Sequence, residues 1–190
     1  MTPGDLIASM ARALKLKEST VSAHYRKLRE AGLVSRKGRG RGSPESTVTD
    51  AAALLISILV ADTAVAAAES FRQFAGLHSP VLSEANLKAF SGVPLIEAVV
   101  TLLVTRQLTE GGQEVRLVAA NRQQTAQILL DGYQIDFEVP AQHDESLSAD
   151  RAVYESFGPL LGGDGGISGG LQTFSSVTTA ELRALSDALV

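Results

Sequence analysis

The sequence predicts an α+β protein, and three observations carry that expectation. Apolar residues recur at spacings of three and four near the start and again in segments up to residue 108, the helical period. From residue 113 the period shifts to two, and Asp131-Gly132 offers a hairpin turn between alternating runs. Glycine, proline and polar clusters separate the segments and set their ends.

Leu6, Ile7, Met10, Ala11 and Leu14 make one apolar face of a first helix. Asp5 lies near its start, where a carboxylate suits the positive helix end. Lys15-Leu16-Lys17-Glu18 is short enough to be only a turn, with Leu16 as the apolar plug between two helices. The second helix opens on Ser19-Thr20-Val21-Ser22 and buries Val21, Tyr25 and Leu28. That leaves Ser19, Ser22, Ala23, Arg26 and Lys27 on other faces. Small polar residues at the front of such a helix allow close approach to base edges and donate to phosphates. Arg26 and Lys27, one turn later, can reach the backbone or a guanine. His24, on the same helix, is expected at DNA or solvent rather than in catalysis.

Gly32 is the expected residue just past this helix, with Arg29 in its last turn. Leu33 to Lys37 then reads as a strand and Ser46 to Thr49 as its return. Between them Gly38, Gly40, Gly42 and Pro44 oppose regular structure. Arg36, Lys37, Arg39 and Arg41 occupy that loop, with no acid before Glu45. An Arg-Gly loop of this kind can track a phosphate backbone or enter a narrow minor groove. The fold expected is an N-terminal winged helix-turn-helix followed by a helical and antiparallel-β C-terminal region.

Residues 3 to 49 resemble the winged-helix transcriptional regulators of bacteria, which include MarR-like and GntR-like groups. Met10-Ala11, Leu14, Leu16, Ser19-Thr20-Val21-Ser22, Leu28 and Gly32-Leu33-Val34 carry the resemblance. It implies that Ser19 to Lys27 is a recognition helix and Arg36 to Arg41 a wing. The implied DNA-contacting set is Lys17, Ser19, Thr20, Ser22, Ala23, Arg26, Lys27, Arg36, Lys37, Arg39 and Arg41. Two features depart from the pattern. The family usually has a helix before the one at Leu6, so the helix after the wing is expected to supply that support. Lys15 stands where the turn commonly has glycine.

Charge supports a nucleic-acid partner for this end. Residues 1–49 hold ten Lys/Arg and four Asp/Glu, a net of +6, against seven and seventeen, a net of −10, over residues 50–190. A chain of net −4 that gathers its positive charge in one terminal module has its electrostatic footprint there. The acidic remainder would repel DNA and confine contact to the module.

Three segments are expected, namely 1–49 for DNA, 50–112 as a connecting or dimerisation helix with two further helices, and 113–190 as a β-meander with a terminal helix. Asp50 or Thr49 can cap a long Ala-rich helix from Ala51 to Ala75, ended by Gly76. Ser57, Asp62 and Thr63 interrupt its apolar run and oppose a membrane reading. It suits a core helix or a dimerisation helix. Ser79-Pro80 then opens a helix to Phe90, and Pro94 opens another over Leu95 to Leu108. Strands are expected at Glu114–Ala120, Thr125–Leu130, Tyr133–Val139 and Leu171–Val177. A short helix is expected at Ala149–Phe157, a flexible Gly162–Gly170 loop, and a last helix capped by Thr178 or Thr179. The glycine loop lacks the lysine and preceding strand of a phosphate loop.

Enzyme chemistry has little support. The chain has no cysteine, so thiolate ligands, nucleophiles and disulfides are excluded. His24, His78 and His143 are scattered, and the acids near His143 match no ligand spacing. No cofactor is expected. The first residues lack a charged segment followed by an apolar core, which predicts a cytoplasmic protein. The function expected is a sequence-specific regulator of transcription on double-stranded DNA, a homodimer on an inverted repeat, with a protein or small-molecule effector at the C-terminal region. The alternatives are a phage or mobile-element DNA-transaction protein (small terminase, replication initiator or recombination-directionality factor), a ligand-sensing regulator, and an interaction protein without DNA affinity.

Overall fold

A computed structural model describes residues 1–35, 45–105, 114–120, 123–140 and 174–189. These hold six α-helices, one 3-10 helix and four strands. The expected helix at 149–157 and the glycine loop at 162–170 lie outside the described residues.

Helix α1 (Pro3–Ala13) starts at a reciprocal cap. The Thr2 hydroxyl accepts the Asp5 amide at 3.2 Å, and the Asp5 carboxylate accepts the Thr2 amide at 3.0 Å. Helix α2 (Glu18–Glu30) begins one residue ahead of Ser19, with Lys17 at its N-cap. Both helices end in the same way. Lys15 at φ 55° and Gly32 at φ 75° turn the chain left-handed. Behind them Leu16 N–H reaches the Ala11 carbonyl, and Leu33 N–H the Leu28 carbonyl, each at 2.9 Å. Glycine adopts this conformation freely, whereas at Lys15 it costs about 1 kcal/mol. The turn is therefore in the place expected, with a lysine in the glycine position, but Leu16 is 39% exposed and does not plug the two helices as expected.

The expected return strand over Ser46 to Thr49 is absent, because these residues start a helix. Thr47 caps helix α3 (Val48–Val60), accepting the Asp50 amide at 3.1 Å while Asp50 accepts the Thr47 amide at 2.8 Å. The other Asp50 oxygen accepts the Ser35 amide at 2.8 Å. Leu33 to Ser35 likewise form no strand, and Val34 is buried in the core instead. Ser46 donates its amide to the Met1 carbonyl at 2.9 Å.

The expected helix from Ala51 to Ala75 is two helices. Ala61 is extended (φ −99°, ψ 121°), and the exposed Asp62-Thr63 pair opens a turn before helix α4 (Ala67–Ala75). The short α3 is buried along nearly its whole length, packed by α2, α4 and the remaining layers. No helix among the described residues is long and apolar enough to cross a membrane.

The helix expected from Val81 to Phe90 is reduced to a 3-10 helix at Ala85–Phe90. Ser79 does not cap it. Its buried hydroxyl donates to the Phe90 carbonyl at 2.5 Å and accepts the Val93 amide at 3.1 Å. These bonds close residues 79–93 into a compact loop before helix α5 (Leu95–Val104), which follows Pro94 as expected.

Strands β1 (Val115–Ala120), β2 (Thr125–Leu130), β3 (Tyr133–Phe137) and β4 (Phe174–Thr178) form an antiparallel sheet in the order β3-β2-β1-β4. Asp131 (φ 47°) and Gly132 (φ 85°) make the expected tight hairpin, with Leu130 opposite Tyr133. Val115, Leu117, Ile128, Ile135, Phe137 and Val177 turn one face to the helices. The other face is mixed: Val118 and Leu129 lie on it beside Arg116, Gln127 and Asp136, with the Gln127 amide donating to Asp136 at 2.8 Å. Helix α6 (Thr179–Leu189) follows β4 directly and is capped by Thr178 with Glu181. It lies against α1, which packs chiefly on α6 and α2 and much less on α3, the helix expected to support it. One continuous apolar core runs from Leu6 through α3 to Leu185.

Candidate nucleic-acid interface

Helix α2 divides cleanly into two faces. At 100° per residue, Val21, His24, Tyr25 and Leu28 share one side, and all four are buried. Ser19, Ala23, Arg26 and Glu30 fall within about 60° of one another on the opposite side. Ser19, Arg26 and Glu30 are exposed there, and Ala23 is half-buried. Ser22 flanks this stripe on one side and the half-buried Lys27 on the other. Lys17 and Thr20 are exposed at the front of the helix. The structure thus brings Lys17, Ser19, Thr20, Ser22, Ala23, Arg26 and Lys27 onto the outer part of one helix, its core face anchored by α1, α3 and α4. Arg36, Lys37, Arg39 and Arg41 lie outside the described residues.

Two residues of α2 differ from what the sequence suggests. Glu30, absent from the expected set, continues the stripe at the C-terminal end of the helix. It accepts from the Lys27 ammonium at 2.8 Å and lies 3.8 Å from Arg26 Nε. The Lys27 hydrogen bond, with Arg26 and Arg29 nearby, holds its carboxyl below the ordinary range. Its signal is its place four residues after Arg26.

His24 is the correction. It is expected at DNA or solvent, yet it is 5% exposed and faces the core beside Ser57 of α3. Its Nδ1 is buried without a hydrogen-bond partner. Burial pushes the imidazole below its ordinary value of 6.5, and a backbone hydrogen bond at Ser57 opposes this only in part. A lowered histidine pKa sets the sign of a pH effect. Above 6.5 the ring is neutral whether folded or unfolded. As pH falls through that value the unfolded chain takes up a proton that the folded chain resists, so stability is lost on the acid side. The urea midpoint is expected to fall between about pH 7.5 and pH 5.5. The variant His24→Leu should show a flatter profile over that window. Asp5, Glu30 and Glu181 are also lowered, so their losses belong to more acid pH, around and below the carboxylate range.

The described residues contain no cluster of His, Asp and Glu suited to a metal ion. What α2 offers is a shallow, small-residue ridge flanked by cations, opposite a rigid apolar anchor. Such a ridge can enter a major groove while serine hydroxyls and cations meet phosphates and base edges.

Comparison with protein families finds one match for this region. The family model described as bacterial regulatory protein, arsR family, matches residues 7–36, which span most of α1, the turn, α2 and the start of the following segment. Comparisons with curated proteins and with solved structures find no match. Residues 7–36 are therefore similar to the helix-turn-helix of the bacterial arsR regulatory-protein family, and the described part of that match, α1, the turn and α2, stands at the front of an α+β chain.

Proposed function

We propose that this protein is a sequence-specific regulator of transcription that binds double-stranded DNA as a homodimer and reads an inverted repeat. The observation that carries the reading is the exposed stripe of α2, set opposite its buried face within the segment that matches a regulatory family. Its chemistry fits a major groove: Ser19, Ser22 and Ala23 permit close approach, and Arg26 supplies the planar donor that guanine accepts. The wing residues Arg36, Lys37, Arg39 and Arg41 follow as phosphate or minor-groove contacts. Two copies related by a two-fold axis match a palindromic site, which is why a dimer and an inverted repeat are proposed together.

An effector remains part of the proposal only for the C-terminal region. The groove between α1 and α6, lined by Ser9, Arg12, Lys15 and Glu181 among others, holds about 210 Å³. Small-molecule sites begin at roughly 300 Å³, so this groove does not support an effector by itself.

The test is selection of bound fragments from sheared genomic DNA by the full-length protein. Enrichment of one inverted repeat upstream of genes supports the proposal. Salt-sensitive binding without enrichment points to a packaging or architectural protein, and no binding overturns it. Within a selected site, Ser22→Ala or Arg26→Ala is expected to change base preference more than general affinity. The discrimination lost at one base pair should be about 1–3 kcal/mol. Selection of randomised duplexes by each variant checks this, and an unchanged preference would reassign the reading face.

A further inference from the structure

We infer that Glu30 is a specificity-determining residue of the DNA-reading face, restraining Arg26 and Lys27 so that they engage a matching site and bind other DNA weakly. The inference rests on the proposed DNA-binding function and deepens it. Its ground is the juxtaposition on α2. Glu30 lies in the outward stripe with Ser19, Ala23 and Arg26, not on a remote solvated face. It meets Lys27 at 2.8 Å and Arg26 at 3.8 Å. The two basic side chains of the ridge thus share one carboxylate.

The consequence follows from the charges. Non-specific binding depends on cations that neutralise phosphates and release counterions. A carboxylate that binds Lys27 and partly offsets the charge of Arg26 lowers the positive charge available, and its own charge is repelled by the phosphates. At a matching site the balance differs. The Glu30 charge 3.8 Å from Arg26 Nε biases the guanidinium toward the stripe without bonding it, which leaves its planar fork open for a bidentate contact on guanine. The carboxylate can also accept from a cytosine amino group. Glu30 therefore weakens general affinity more than matched affinity. Specificity of this kind rests on a repulsive element as well as an attractive one.

The test compares the full-length protein with Glu30→Gln, which keeps shape and removes charge. Glu30 is more than half exposed, so the variant is expected to fold with an unchanged melting temperature. On a short mixed-sequence duplex, its affinity should rise about fivefold, and log K against log salt should steepen by about one. In selection from a randomised duplex library, enrichment of the preferred sequence over the mean should fall by a similar factor. A second variant, Glu30→Asp, keeps the charge and should retain most of the selectivity. Equal affinity, salt slope and enrichment for wild type and Glu30→Gln would overturn the inference while leaving DNA binding intact. Failure of the wild type to bind any duplex would overturn both.

Discussion

Leu54→Ala is expected to lower the unfolding free energy by about 2–5 kcal/mol and to weaken the whole chain, not only the helices around it. Leu54 is 0% exposed in the middle of α3, the helix that packs on α2, α4, α5 and the sheet. Its neighbours Ala51, Ala52, Ala53, Leu55 and Ile56 are equally enclosed, so there is little room for the site to collapse. A cavity left there takes packing away from α2 and the sheet together. Urea unfolding followed by circular dichroism should show one transition with a lowered midpoint. Hydrogen exchange should show matching losses of protection at Tyr25 and Ile128, which share the same apolar core. Protection kept in β2 while lost in α2 would show two units that unfold independently. Val65→Ala is the control: at 80% exposure it is expected to change stability by less than about 0.5 kcal/mol.

Much of this architecture is legible in the sequence because its signals are local. Asp5 in the first turn of α1, Gly32 and the Asp131-Gly132 hairpin act through charges and dihedrals within a few residues, and the structure shows them where they are expected, whereas the reciprocal cap of Thr2 with Asp5 goes beyond what is expected. The alternation of Tyr133, Ile135 and Phe137 marks the buried face of β3 apart from its first residue, Tyr133, which is exposed. The failures arise where two local signals compete or where distant packing decides. Thr47 and Asp50 form a capping box that outcompetes a strand, although the sequence points to Asp50 only as one of two caps. The break at Ala61 is marked by Asp62-Thr63, a pair that passes for a tolerated interruption because no glycine or proline stands there. His24 lies three residues after Val21 and four before Leu28, the spacing of the core face. Residue type hides what periodicity indicates. The packing of α6 on α1 joins opposite ends of the chain, and no spacing rule reaches that far.

Replacing both Arg39 and Arg41 with alanine is expected to weaken binding to every duplex by roughly 10- to 100-fold at physiological salt. It should also reduce the slope of log K against log salt by about two, close to one for each phosphate no longer neutralised. The expectation comes from composition and from the frame that holds the segment. Arg36 to Arg41 carries four cations and no acid, in a chain otherwise strongly acidic beyond residue 49. The described residues on either side are fixed: Ser35 donates to the buried Asp50 at 2.8 Å, and Ser46 donates to Met1 at 2.9 Å. Ser35, just past α2, and Ser46, just before α3, are thus both anchored to the described core. The segment's arginines would add affinity without adding much preference, since phosphates carry no sequence information. That separates this variant from Arg26→Ala, whose expected loss is confined to one base position. Titration of the double variant against preferred and mixed-sequence duplexes at several salt concentrations distinguishes them. A uniform loss with a flatter slope assigns the wing to the backbone. A loss confined to the preferred duplex makes it a reader of the minor groove, and unchanged affinity and slope remove it from the interface.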